Sequence, residues 1–311
     1  MSFENLIPLS LSNKPQKNAA EMYLNSLASK SSSVTMANCL NNISKILGHD
    51  GYDRLDWSKI RRSNWLQINK ALMERNCSAA TINLYLTAFK SVAREAWTLD
   101  LLPQSAFLKI RAIKSIHYER LPKGRSLNLT ECKALLDFCI DGSVHGLRDR
   151  AIFALMLGCG LRRGEVVKLD IADWNSRELS FSFIGKGNKE RKVYLPSDLE
   201  EIFLEWLFKR GLESGPLFPR MNPGGKDDKM IFKNMLPTSI YKILKKRTDN
   251  TFLKGLRPHD LRRTFATRML EAGCDVFILQ RAMGHASVNT TARYDYRSEK
   301  HREEICKALR F

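Results

Sequence analysis

Four stretches of the sequence hold side chains able to grip a phosphate or move a proton. In HDLRR at 259–263, a histidine and an arginine stand three residues apart just after Pro258. If that proline opens a helix, His259 and Arg262 share one face close to an N-terminus, where free N–H groups already favour anions. GCGLRRGEV at 158–166 places Arg162 at the end of an apolar run, beside Glu165. A guanidinium held by a carboxylate can pair two phosphate oxygens at once, which a lysine cannot. Lys186 lies between Gly185 and Gly187, an ammonium on a turn that could swing over a bound strand and donate a proton. GHASVNTTARYDY at 284–296 adds His285 and two phenols, Tyr294 and Tyr296. Each stretch alone also fits a plainer reading: a solvated basic helix start, a surface salt bridge from Glu165 to Arg162 or Arg163, a solvated turn lysine, two packing tyrosines.

The elements that must carry these residues follow from periodicity. Residues 1–114 read as an all-α domain. Met36, Leu40, Ile43 and Leu47 fall on one face of a helix over 34–47 that stops at Gly48, a residue suited to ending helices. Ser63 is placed to cap a helix bearing Trp65, Ile68 and Leu72, and Ser78 one bearing Ile82, Tyr85, Phe89, Val92 and Ala96. A basic connector with Pro122 and Gly124 spans 115–128 and suits either solvent or phosphate. Residues 129–311 form the second domain. Thr130 is the expected cap of a helix through Ile140, and an apolar helix follows around 148–158. Leu179, Phe181 and Phe183, then Val193 and Leu195, alternate with polar residues around GKGNKE at 185–190, the pattern of a β-hairpin. Helices resume from Leu199, interrupted by a Pro/Gly-rich loop at 219–225. The fold class is mainly α with a small antiparallel β-sheet in the C-terminal domain.

Charge narrows the partner. With 311 residues and 43% hydrophobic content the chain can bury two cores, which excludes disorder as its main state. Its 51 Lys+Arg against 33 Asp+Glu leave +18, which calls for a polyanion, either nucleic acid or an anionic membrane surface. Residues 1–114 hold 15 Lys+Arg and 8 Asp+Glu, net +7, and the rest carries +11. Charge spread over both parts favours wrapping a partner over a basic tail. The longest apolar run, 151–161, is shorter than the roughly 20 residues of a membrane-spanning helix, so it reads as a core helix and no membrane-spanning segment is expected. The N-terminus, with Glu4, does not read as a secretory signal. Seven scattered cysteines with no CxxC pair predict reduced, mostly buried thiols in a cytoplasmic protein, with neither disulfides nor zinc.

Taken in order, these strings resemble the tyrosine recombinases of the phage-integrase family. The matching residues are Arg162 in GLRRGEV, Lys186 in GKGNKER, His259 and Arg262 in HDLRRTFAT, His285 in GHASVNTTARY, and Tyr294 nine residues later. GPLFPR at 215–220 and SIYKILKKR at 239–247 extend the likeness over most of 125–297. Tyr296 competes with Tyr294 as nucleophile; the TTxxY pattern and the nine-residue spacing favour Tyr294. The PRMNPGG and KDDK region within 219–236 is longer than the family's common form.

The resemblance implies a two-domain DNA clamp, with residues 1–114 as a core-binding domain and 129–311 as the catalytic domain. It implies transesterification: a phenol attacks a DNA phosphodiester, leaves a 3′-phosphotyrosine and frees a 5′-hydroxyl. A free tyrosine, with pKa near 10, is only about 0.1% ionised at pH 7, a deficit of about 4 kcal/mol that cations and a base must offset. Arg162 and Arg262 would hold the non-bridging oxygens, His259 would act as base or phosphate partner, His285 as a second donor, and Lys186 would protonate the departing oxygen. Two guanidiniums can do the charge work of a metal, so the expected cofactor set is empty: no metal and, with no Walker-type glycine loop, no ATP. The tail SEKHREEICKALRF is expected to be a helix docked on a neighbouring protomer in a tetramer around two duplexes, with room for accessory DNA-bending proteins. The similarity begins near the N-terminus, which leaves little space for an arm-binding domain and tilts the expectation toward a mobile-element or resolution-type recombinase. A type IB topoisomerase, a DNA-binding regulator without chemistry and a metal-dependent nuclease are the rivals; only the last would lose activity in EDTA.

If the two parts together neutralise about eight phosphates, log affinity for duplex DNA falls against log salt with a slope near −7. A salt titration that is almost flat rules out wrapping.

Overall fold

The structure, a computed structural model, describes residues 18–118, 124–185, 190–222, 230–285, 287–292, 294 and 307. The chain divides into two compact units, Met1–Leu121 and Pro122–Phe311.

The first unit is built of five helices among its described residues: α1 (Ala19–Asn25), α2 (Lys30–Ile46), α3 (Arg62–Glu74), α4 (Ala79–Thr98) and α5 (Gln104–Arg111), with a 3-10 turn at Trp57–Lys59. Their apolar stripes meet in one core of Leu40, Ile43, Trp65, Ile68, Leu72, Phe89, Val92 and Ile110. Ser78 caps α4 by accepting the Thr81 N–H, as its position predicts. The expected cap at Ser63 is wrong. Helix α3 starts two residues earlier, at Arg62 behind the Arg61 N-cap, with the Arg61 N–H donating to the Asn64 side chain at 2.7 Å, so Ser63 lies inside the first turn. Likewise α2 begins at Lys30, behind the Ser29 cap, because a polar first turn is invisible to an apolar pattern. Helices α1 and α5, of 7 and 8 residues, are too short for periodicity to reveal.

In the second unit, α6 (Leu129–Asp137) is capped by Asn128, which pairs reciprocally with Glu131. That capping box overrides the expected Thr130 cap. Helix α7 (Val144–Gly158) is apolar nearly all round and buried along its length, so it is the central rod on which α9 (Glu200–Arg210) and α11 (Pro258–Glu271) pack. Between them come the short α8 (Arg163–Val166) and an antiparallel sheet of β1 (Trp174–Asn175), β2 (Ser180–Ile184) and β3 (Glu190–Tyr194), in that order. The β2–β3 hairpin has the expected inward alternation, with Phe181 opposite Val193 and Phe183 opposite Arg191. Trp174, Phe181 and Phe203 close the sheet onto α9 with ring centroids 4.7 to 5.3 Å apart.

The region expected as a loop at 219–225 instead opens a second antiparallel pair, β4 (Pro219–Met221) with β5 (Met230–Asn234). The proline is the first residue of β4, at a register irregularity, a position where strands tolerate a missing N–H. Residues 223–229, with all of KDDK, lie outside the described residues. Helices α10 (Pro237–Thr248), α12 (Val276–Met283) and α13 (Val288–Ala292) complete the unit. The segment at 124–128, expected as a connector, packs on α11: Leu127 is buried and its N–H donates to Thr264 Oγ1 at 2.9 Å. The expected tail helix lies outside the described residues except for Lys307. Among the described residues no helix is long and apolar enough to cross a membrane. Cys39, Cys139 and Cys159 are buried free thiols, and burial pushes the latter two up to about 12.

One buried ionic cluster ties α7 to α10. Asp149 accepts from Arg148 at 2.8 Å and from Arg247 at 2.9 Å, and Arg247 also reaches Asp141 at 2.6 Å. Asp149→Ala would leave two buried guanidiniums short of a carboxylate, so urea unfolding should show a loss of about 3–5 kcal/mol. A loss under about 1 kcal/mol would mean that water already reaches the pair.

Candidate active site

Three chain reversals bring distant residues to one place. After α7, Gly160 takes φ +61, a region that favours glycine, and a Cβ there would collide with the Phe265 ring of α11. The chain therefore passes tight against α11 and delivers Arg162 as the N-cap residue of α8. Pro258 opens α11 at its first position, so His259 and Arg262 share a face one turn into the helix. Helix α12 ends at Gly284, left-handed at φ +61 and ψ 48, which turns the chain sharply and presents His285 beside Arg262.

Glu165 is the centre of the charge arrangement. Its carboxylate accepts the Arg162 N–H at 2.9 Å and the Arg162 guanidinium at 2.7 Å. It also accepts from Arg191 at 3.0 Å and lies 3.8 Å from Arg262. Arg262 is 1% exposed; it donates to the carbonyls of Gly160 and Met283 and lies 3.0 Å from His285 Nε2. Arg162 keeps 32% of its side chain exposed and reaches the Gly284 carbonyl at 3.3 Å. The Tyr294 hydroxyl is 3.1 Å from His259 Nε2. Its ring stacks on His285, centroids 6.0 Å apart at 17°, and the Arg263 guanidinium sits 5.4 Å over the Tyr294 centroid. The site is thus one contact network of Arg162, His259, Arg262, His285 and Tyr294. Lys186 and Tyr296 lie outside the described residues.

The electrostatics follow from three cations around one carboxylate. Burial works to raise the Glu165 carboxyl, but the Arg162 N–H and the guanidiniums of Arg191 and Arg162 outweigh it and hold the group below its ordinary value. Burial, with the repulsion of Arg162, brings Arg262 down to about 9, so it is still a cation at neutral pH. Burial and the neighbouring guanidiniums lower His259, and bring His285 down to about 4. Both rings are neutral at pH 7. A guanidinium can only donate, so His285 Nε2 accepts from Arg262 and its Nδ1–H donates to Thr291 Oγ1, 2.9 Å away. His259 Nε2 is correspondingly free to accept the Tyr294 proton. The arrangement can hold an anion between Arg162 and Arg262 and draw a proton from the phenol. Among the described residues no three His, Cys, Asp or Glu side chains cluster to hold a metal ion.

Sequence reasoning did not single out Arg191, Thr291 or the role of Gly284. The signal for Arg191 was present: it precedes Val193 and Leu195 by two and four residues, so it is a charge on the inward side of a strand. Thr291 and Gly284 had no such mark, since their partners lie on other elements.

The geometry has relatives among known proteins. The family model described as the phage integrase family matches residues 125–301. The tyrosine recombinase XerC of Vibrio cholerae serotype O1 is 29% identical over 261 residues, 78% of each chain. The tyrosine recombinase XerA of Pyrococcus furiosus is 36% identical over 186 residues, 59% of this chain and 60% of the relative. Among solved structures, a lambda integrase dimer bound to a COC′ core site aligns with a TM-score of 0.67 at 13% identity, covering 90% of this chain and 94% of that one. The Tn1549 transposon integrase in complex with transposon right end DNA gives 0.66 at 16% identity, covering 93% and 99%. These two likenesses show a common fold.

Because the folded carboxyl of Glu165 titrates below its ordinary value of 4.5, its stabilisation is complete above that pH and is lost as pH falls through the folded value. Glu165→Gln should therefore unfold more easily than the parent by about 3 kcal/mol at neutral pH, with the gap narrowing below about pH 4.5. Urea titrations across that range check it, and a gap independent of pH would mean that packing, not charge, makes Glu165 matter.

Proposed function

The chain belongs to the phage integrase family and is a tyrosine recombinase, and on that premise we propose that it cuts and rejoins a specific duplex DNA site through a 3′-phosphotyrosine on Tyr294. The contact that carries the reading is the Tyr294 hydroxyl on the Nε2 of a neutral His259, 3.1 Å away. A nucleophile and its base within hydrogen-bond reach are what attack on phosphorus requires.

The reaction then balances residue by residue. The phosphate enters between Arg162 and Arg262, whose guanidiniums hold its non-bridging oxygens as charge accumulates there. The Tyr294 oxygen forms a bond to phosphorus while its proton passes to His259. The bond from phosphorus to the 5′-oxygen breaks, and Lys186 gives that oxygen a proton. Rejoining reverses the order: a 5′-hydroxyl of the partner strand attacks the phosphotyrosine and passes its proton to Lys186, the bond from phosphorus to the Tyr294 oxygen breaks, and His259 returns the proton to Tyr294. One phosphate ester replaces another at each stage, so no nucleotide is consumed, and the guanidiniums supply the positive charge a metal would otherwise bring. His285, neutral without ligand, gains a proton more readily once an anion lies beside it and then donates from Nε2.

Around this centre the proposal keeps the broader role inferred from the sequence. The helical first unit and the basic second unit both bind duplex DNA, mostly through phosphates. Four protomers pair two sites, joined through the C-terminal tail, to integrate, excise or resolve DNA of a mobile element, phage or replicon in the cytoplasm. The names of the relatives, a transposon integrase and a lambda integrase on DNA among them, support that setting.

The deciding experiment uses nicked suicide duplexes built on a site recovered from a randomised pool. The parent and Tyr296→Phe should form a covalent 3′ adduct, in EDTA as well as without it, and Tyr294→Phe should form none. An adduct that survives Tyr294→Phe and vanishes in Tyr296→Phe would transfer the nucleophile to Tyr296.

A further inference from the structure

Arg191 is a buried cation that the reaction does not use. It stands on β3 directly opposite Phe183 of β2, on the inward side of the sheet, with 7% of its side chain exposed. Burying a guanidinium is costly unless several partners repay the desolvation, and its partners are informative. One arm donates to Glu165 Oε1 at 3.0 Å, the same oxygen that takes the Arg162 guanidinium. The other donates to the Ala282 carbonyl, at the end of α12. The stem fills the space that Gly284 leaves empty: a Cβ on Gly284 would sit 2.7 Å from Arg191 Cδ and Nε. The guanidinium also lies 5.4 Å over the Phe183 ring.

Each partner leads directly to a group of the site. Glu165 orients Arg162 through both its side chain and its backbone N–H. Ala282 precedes Met283 and Gly284, whose carbonyls receive Arg262 and Arg162, and the same turn delivers His285. A single fork therefore fixes the separation between the loop bearing Arg162 and the turn bearing His285, and ties both to the hairpin whose tip holds Lys186 in sequence. Lysine has no two-armed fork with which to span them. Since Arg191 is buried behind Glu165, it has no route to a bound phosphate of its own.

We propose that Arg191 is a positioning residue of this recombinase, a buried strut that sets the Arg162–Glu165 pair and the Gly284 turn in the geometry the phosphate needs. This rests on the reading of the site as a phosphate-cleaving pocket. A misplacement of about 1 Å at such a site costs about 100-fold in rate, so loss of the strut should act on cleavage far more than on DNA affinity, which many remote phosphate contacts share.

The test compares the full chain with Arg191→Met, Arg191→Lys and Glu165→Gln, in single-turnover cleavage of the suicide duplex, in DNA binding, and in the titration of His285 followed by NMR. The groups facing His285 are Arg262 and His259 of α11, Arg162 before α8, Arg191 of β3, Thr291 of α13 and Tyr294. Expected for Arg191→Met is cleavage slowed about 10- to 100-fold with affinity changed less than about 3-fold, and no recovery in Arg191→Lys. The double variant with Glu165→Gln should be hardly slower than Glu165→Gln alone, and the His285 titration should rise from about 4 as a nearby cation is lost. Cleavage at the parental rate, equal losses in rate and affinity, or full rescue by lysine would overturn the strut. A parent that forms no adduct overturns the functional reading instead; the His285 titration then decides alone, and if it does not move in Arg191→Met the strut falls too. If Arg191→Met fails to fold, Gly284→Ala, which forces the same stem aside, is measured in its place.

Discussion

One carboxylate holds the catalytic unit together. Glu165 faces Arg162, Arg191 and Arg262 with both oxygens engaged, leaving that group of four side chains two positive charges in excess. Without Glu165 three guanidiniums would repel one another in a setting that dry protein makes harsh. With it they stay close, and the surplus charge is what a doubly charged phosphoryl transition state can use. Burial, together with that excess, lowers His259 and His285 so that both are neutral at pH 7, and the charge that could hold an anion also favours an unprotonated ring beside the phenol.

Rigid backbone supports this arrangement from three directions. Gly160 lets the chain after α7 press against Phe265, Pro258 starts α11 where His259 and Arg262 fall on one face, and Gly284 turns α12 into His285. Main-chain carbonyls of Gly160, Met283, Ala282 and Gly284 accept further guanidinium N–H groups beyond those on Glu165. Carbonyl acceptors do not titrate, so the positions of the arginines are set without cancelling their charge. The buried core of α7 beneath is the platform that makes such small displacements costly.

The overall +18 and the local +2 serve different ends. Charge spread over 1–114 and the remainder is suited to a long backbone polyanion, screened by salt and tolerant of sequence. The buried guanidiniums are few, desolvated and fixed by named partners. Binding and catalysis are therefore separable in principle, which is why a residue such as Arg191 can matter to one and scarcely to the other.

Much of this was legible from residue types and spacing. The helical first unit, the β2–β3 hairpin and the opening of α11 at Pro258 follow from local rules, because caps, turn residues and apolar periods act within a few positions; Arg162, His259, Arg262, His285 and Tyr294 were singled out by the order of their motifs and its resemblance to the family. Short helices such as α1 and α5, the Asn128 cap and the β4–β5 pair escaped, because a competing local signal or a partner far along the chain decided them. What tertiary structure alone supplied is the pairing of groups from different elements: Tyr294 on His259, Arg262 against His285, Arg191 between Glu165 and Ala282. Proton direction and charge balance depend on distances of about 3 Å between residues up to 122 positions apart. The sequence by itself determined which chemistry was available; burial and contact in the folded chain decided which histidine lies against the phenol, which arginines share one carboxylate and which backbone carbonyls hold them.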